Sequence, residues 1–329
     1  MSALEPAAAP AAALDALLDA LSDPVVRDLA WLLFSAPLLR GHPPAGELAG
    51  AFETADESAA TLAWLLALDR DATPLRDAMS ATRIVRLGRY AECLLGYFLQ
   101  HGPAARLVAA NVALRLAGRT IGECDFLVET ALGRRLHWEL AVKCFLHAGG
   151  DRAELADYVG PNLQDRFDLK LGHLLGHQLP LSAREEFAAL GHVGPWQPQM
   201  FVKGWLFYRW RESPPIAQAV EPAHHRGFWV TRGDWPAFCA SRPDVRWIVL
   251  PRLAWLSPRP AISHADAAGL SDAGALAERL AQQSGPAMVG AFEHAGAGLG
   301  HWREAQRGFV VPDEWPQQAR AFALATDIG

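Results

Sequence analysis

Residues 122–146, GECDFLVETALGRRLHWELAVKCFL, put carboxylates and a lysine onto two runs that read as neighbouring strands. From 121 to 128 apolar and polar residues alternate, and a period of two sets Glu123, Asp125 and Leu127 on one face. A turn follows, with Gly133 and two arginines. The run LHWELAVKCFL then carries His137, Glu139, Ala141 and Lys143 on one side of a second, largely apolar strand. An uncompensated ion inside such a run costs on the order of several kcal/mol, so these charges call for a partner or a metal.

The remaining chain frames this hairpin. With 329 residues and 51% hydrophobic content it is long enough for a full core. The four cysteines, Cys93, Cys124, Cys144 and Cys239, show no CxxC spacing, which predicts reduced thiols and no zinc finger. No apolar run is long enough to span a bilayer and no basic flank marks a secretion signal, so the expectation is a soluble, cytoplasmic protein without a membrane partner. A net charge of -6 argues against coating nucleic acid by bulk electrostatics. Between 83 and 135, however, eight arginines face four acids. Phosphate is a permitted partner there, although a solvated charged face is the commoner meaning.

In chain order, residues 1–13 read as a low-complexity tail and 14–82 as a helical cap, with Pro24 placed to open its second helix. Residues 86–100, RLGRYAECLLGYFLQ, form an amphipathic helix whose one acid, Glu92, either pairs with Arg89 or looks towards the sheet. A strand at 106–116 precedes the hairpin. Residues 162–179 have helical periodicity and set His173 and His177 one turn apart, where solvated histidines are favoured over a metal site because HExxH is absent. Residues 200–210 return as a strand. Beyond Pro214 and Pro215 the strand candidates FWVT, VRWIVL, PAMVGAFEH and GFVV alternate with helices at 272–283 and 314–324. Nine of the twelve tryptophans lie after residue 190, and packing or an interface explains them better than stacking on bases.

The order helix, three strands, helix, strand, with LGRYAECLLGYFL, IGECDFLV and HWELAVK on it, resembles the PD-(D/E)XK nuclease superfamily over about residues 83–208. With YVGPNLQDR and KGWLFY added, most of the chain resembles a bacterial family catalogued as domain of unknown function 1853, a likeness that brings no activity with it. The nuclease resemblance implies an α/β fold with a restriction-endonuclease-like core at 83–212 and a mixed sheet, followed by a tryptophan-rich α/β extension at 213–329. It further implies a nuclease that hydrolyses DNA or RNA phosphodiesters with Mg²⁺ or Mn²⁺ held by Asp125, Glu139 and Glu92, and with Lys143 orienting or activating the water. Asp125, Glu139 and Lys143 are then the catalytic residues.

One departure stands out. The superfamily spaces glutamate and lysine two apart, whereas here position 141 is alanine and the lysine comes at 143. Four steps along a strand separate backbones by about 13 Å. A long side chain reaching back, a bulge, or a transfer of metal-binding duty from Glu139 towards Glu123 would each restore the site. Otherwise the fold would serve binding of nucleic acid or a protein without catalysis. A third reading pairs the acids with arginines such as Arg115, Arg134 and Arg135.

Overall fold

The computed structural model describes residues 11–41, 46–81, 83–192, 194–263, 266–295 and 300–325. Residues 1–10 of the expected tail lie outside that set, and Ala11 already opens a helix. The fold is mixed α/β. It divides into two compact units, Met1–Lys143 with Lys170–Lys203, and Cys144–Leu169 with Gly204–Gly329.

In the first unit α1 (Ala11–Ala20), α2 (Pro24–Phe34), α3 (Ala55–Arg70), α4 (Thr73–Ser80) and α5 (Leu87–His101) precede the strands. Pro24 stands at the start of α2, and the Asp23 carboxylate accepts the Val25 and Val26 amides at 2.9 and 3.1 Å, satisfying orphan donors of the first turn. Thr54 and Glu57 cap α3 reciprocally. The apolar faces meet as core, with Val26, Leu29, Trp31, Leu94 and Phe98 fully buried, and the Tyr90 hydroxyl donates to Asp28 at 3.0 Å.

Next come β1 (Arg106–Leu116), β2 (Arg119–Glu129) and β3 (Arg135–His147), an antiparallel run with Val112 opposite Cys124 and Phe126 opposite Trp138. The sheet order in this unit is β1-β2-β3-β5 once β4 (Tyr158–Val159), α6 (Phe167–His173), α7 (Glu185–Ala188) and β5 (Gln197–Arg209) are counted along the chain. Strands β3 and β5 begin in the first unit and end in the second.

The helical stretch expected over 162–179 is regular only in α6. It widens into a π turn at Leu174–Gln178 and tightens into a 3-10 turn at Leu179–Ala183. Pro180 is the reason, since it offers no N–H to continue α bonding. The 3-10 turn rests directly on β2: a Cβ at Gly122 would stand 2.7 Å from the Leu181 side chain, so glycine is what allows the approach.

Lys203 on β5 is buried, donates to the Ser35 carbonyl and lies 5.2 Å from the Phe201 ring centre. Burial pulls its ammonium down to about 7. Unfolded lysine keeps its proton to about pH 10, so from neutral pH up to that point the unfolded chain holds a proton that the folded chain has shed. The Lys203 contribution to stability therefore rises with pH across that window. Lys203→Met should remove this slope and gain on the order of 1 kcal/mol at neutral pH. Urea melts at pH 6.5 and pH 9 check it; a variant less stable at both, with the slope retained, contradicts the account.

In the second unit β4 pairs with the end of β3, Leu146 opposite Val159. The end of β5 lies parallel to β6 (His225–Thr231). The chain continues through α8 (Trp235–Ala240), β7 (Arg246–Val249), β8 (Ile262–Ser263), α9 (Ala273–Ala281), β9 (Ala287–His294), β10 (His301–Val311) and α10 (Trp315–Leu324). The order β5-β6-β10-β9-β7 is mixed, with β6 and β10 parallel and β10, β9 and β7 antiparallel. Helix α8 has no sequence forecast: six residues with a proline in the first turn carry no periodic stripe. The tryptophans of this region serve packing. Trp229, Trp235, Trp247 and Trp315 are buried, and Trp235 meets Trp247 at 4.7 Å between ring centres beside Phe238, Leu276 and Val289.

Candidate functional site

The pairing of β2 with β3 stops at Phe126 opposite Trp138. One residue further, where a regular ladder would have continued, the Asp125 carboxylate (Oδ2) accepts the Leu140 amide at 2.9 Å, and the Asp125 amide points at Glu139 Oε1 at 3.4 Å. This side-chain insertion ends the expected alternation. Phe126 packs against α5 at Gly96, whereas Cys124 and Leu127 together join Leu114, Leu181 and Phe187 under the 3-10 turn. Glu123, expected beside Asp125, is exposed instead.

Glu139 is fully buried and held on three sides. Its Oε1 lies 2.7 Å from His137 Nε2, and its Oε2 accepts the Gln178 amide at 2.5 Å. Gln178 comes from the π turn, and its Oε1 in turn accepts Lys170 Nζ of α6 at 2.8 Å. His137 Nδ1 stands 3.0 Å from Ser182 Oγ. Lys170, Gln178, Glu139, His137 and Ser182 thus form one continuous hydrogen-bonded chain. Fixing both oxygens of Glu139 removes its rotamer freedom before any ligand arrives.

The electrostatics are those of two acids forced together. Burial, and then the neighbouring Glu139 carboxylate, push Asp125 up to about 8; the Leu140 N–H opposes this, Glu92 adds to it and Lys170 opposes it. The Cys124 thiol is pushed up to about 12 by burial and by the charges of Glu139, Asp125 and Glu123. His173 is held below its ordinary value by burial and by Lys170 and His177.

Asp125 and Glu139 therefore meet, as the sequence places them. Of the two alternatives for Glu92 the structure shows the pairing: half-buried on α5, it accepts Arg89 Nη1 at 2.8 Å, and its charge adds a minor upward push on Asp125. Lys143 is half-buried four residues beyond Glu139 on β3. Among the described residues the bonds of Asp125 and Glu139 run to amides, an imidazole and a carboxamide, with no guanidinium among them; Arg134 bonds Glu53 at 2.8 Å and Arg106 bonds Glu129. The structure does not bring Asp125, Glu139 and Glu92 together as one ligand group among the described residues, and Asp125 Oδ1 lies outside these bonds.

Gln178, Ser182 and Lys170 carry no motif and were not foreseen as site residues. Lys170 did leave one signal, because lysine occurs only at 143, 170 and 203 in a chain whose other basic residues, among thirty Lys and Arg, are all arginine. Such a chain does not use lysine for general surface charge. Gln178 left none, since only the π turn brings it to Glu139.

Among the described residues no helix is long and apolar enough to cross a membrane. Comparison with curated proteins and with solved structures finds no match. A family model described as Domain of unknown function (DUF1853) matches residues 27–311, which is most of the chain, so the protein belongs to the DUF1853 family.

Proposed function

We propose that the chain is a divalent-metal-dependent nuclease, a hydrolase of DNA or RNA phosphodiester bonds built on a restriction-endonuclease-like core. The observation that carries this is the placement of Asp125 beside Glu139, whose Oε1 lies 3.4 Å from the Asp125 amide, where burial and then the Glu139 charge push the Asp125 carboxylate up to about 8, a cost that a bound cation would relieve. The succession α5, β1, β2, β3, α6, β5 and the order β1-β2-β3-β5 support the same reading. Asp125 and Glu139 would hold Mg²⁺ or Mn²⁺, with Glu92 contributing from α5. When bound, such an ion stabilises charge on the pentavalent phosphorus and lowers the pKa of an attacking water.

The chain's own groups do the positioning. Gln178 fixes Glu139, and Lys170 Nζ, tied to Gln178, lends a positive charge beside the acid pair that favours ionised Asp125. We assign to Lys170 the amine role that Ala141 leaves vacant. Exposed Arg83, Arg86, Arg115 and Arg119 supply charge for a phosphate backbone. The second reading, a nuclease fold kept for binding alone, draws on Ala141 itself.

The test is cleavage of single- and double-stranded DNA and RNA by the purified full chain with Mg²⁺ or Mn²⁺. Activity abolished by chelation is expected, and no cleavage of any substrate with either ion rejects the reading. Lys170→Ala should slow cutting by about 10²-fold and shift the rising limb of the pH profile upward, because Asp125 loses a cation that favours its charge. Lys143→Ala should cost far less. The reverse ranking returns the amine role to Lys143.

A further inference from the structure

We propose that Cys124, His137 and Glu139 form a buried site for a borderline-soft divalent ion of the zinc class, which shares Glu139 with the acid pair but differs from it in donor chemistry. The three side chains are fully buried, and one ligand atom of each, the Cys124 Sγ, a His137 ring nitrogen and a Glu139 oxygen, lies within 4.8 Å of the others. This goes beyond the nuclease reading and does not require it.

Three features separate the trio from packing. The first is the break at Asp125: in an unbroken strand Cys124 would point away from His137 and Glu139, and the insertion of the Asp125 carboxylate at Leu140 accompanies its turn onto their side. The second is the outer layer. His137 Nδ1 faces Ser182 Oγ at 3.0 Å and Glu139 Oε2 is held by Gln178 at 2.5 Å, so both groups that would ligate are oriented through their remote atoms, as metal-bound histidines and carboxylates are. The third is the donor set. Sulfur, nitrogen and oxygen together suit Zn²⁺ or Co²⁺ and are poor ligands for Mg²⁺, which takes oxygen. Three protein ligands also leave a fourth position for water or a substrate oxygen.

Filling the site needs two proton adjustments. The imidazole presents a free Nε2 as the Nδ1–H tautomer, which donates to Ser182 Oγ, and the Cys124 thiol proton leaves to solvent as the sulfur binds. Ion and ligands then replace the His137–Glu139 hydrogen bond without moving either strand.

The experiment uses the full chain, stripped with a chelator and titrated with Co²⁺. One Co²⁺ per chain is expected, with a near-ultraviolet thiolate-to-cobalt charge-transfer band and the visible bands of a tetrahedral ion. Cys124→Ser should abolish the charge-transfer band, and Ser182→Ala, which leaves all three ligands in place, should weaken affinity by about 10–100-fold while keeping the band. Circular dichroism of both apo variants separates loss of the site from loss of the fold. A wild-type chain that binds Co²⁺ without the band, or a folded Cys124→Ser that binds Zn²⁺ as tightly as wild type, overturns the proposal. Failure here is distinct from failure of the nuclease reading: cleavage that persists with Mg²⁺ in a chain showing no thiolate band leaves that reading standing, and a band in a chain that cuts nothing does the opposite.

Discussion

Asp125→Asn is expected to slow metal-dependent cleavage by about 10³-fold while leaving the fold intact, the upper range for removing one charge-stabilising contact from a transition state. Asparagine keeps an oxygen for the Leu140 amide, so the strand junction survives and only the charge is lost. Stability supplies an independent readout. In the metal-free chain, burial and Glu139 raise Asp125 to about 8, so the folded state holds a proton that the unfolded state releases near pH 4 or so. The stability this contributes is complete below the unfolded value and is lost as pH rises through the folded one. Thermal melts of the apo protein should accordingly fall between pH 5 and 8, and Asp125→Asn should flatten that decline. Adding Mn²⁺ at 100 times its dissociation constant should stabilise wild type by about 2.7 kcal/mol and the variant by far less. Equal cutting by variant and wild type, or equal stabilisation of both by the ion, removes Asp125 from the site.

The largest stability loss is expected in the second unit, at a place unconnected with the acids. Arg307 is buried on β10 and donates to Glu304 at 2.7 and 3.0 Å, to the carbonyls of Trp255 at 2.9 Å and Ser257 at 2.6 Å, and it lies 4.9 Å from the Trp205 ring. One guanidinium thereby satisfies a buried carboxylate and the loop after β7. Arg307→Met leaves Glu304, itself buried, without its guanidinium partner, and it takes a donor away from the loop carbonyls. Removing one partner of such a pair costs about 3–5 kcal/mol. The double variant Glu304→Gln with Arg307→Met should recover part of this, because the uncompensated charge is then gone. Denaturant unfolding followed by tryptophan fluorescence measures both. A single variant within about 1 kcal/mol of wild type would show that the network is not buried in solution.

Elements were legible wherever local chemistry sets them. Asp23-Pro24 marks the start of α2, the period of two at 121–128 and the apolar run from Leu136 mark β2 and β3, and of the tryptophans after residue 190, read as packing or an interface, Trp229, Trp235, Trp247 and Trp315 are buried in packing. The acids meeting at the β2–β3 junction were also legible, because neighbouring strands need only a short turn to adjoin. The helix over 162–179 was half right, since periodicity does not reveal that Pro180 turns its end into π and 3-10 geometry.

What the chain's order of residues determined by itself is the kind of most elements and the presence of acids on adjacent strands, because both depend on neighbours a few positions away. Tertiary structure decided what surrounds those acids. Gln178 reaches Glu139 across 39 residues, Lys170 follows it through that amide, and Cys124 joins His137 because a side chain interrupts the ladder. Such contacts depend on where a turn of helix comes to rest on a strand, and that position is set by the packing of Leu181 on Gly122, which no periodicity records.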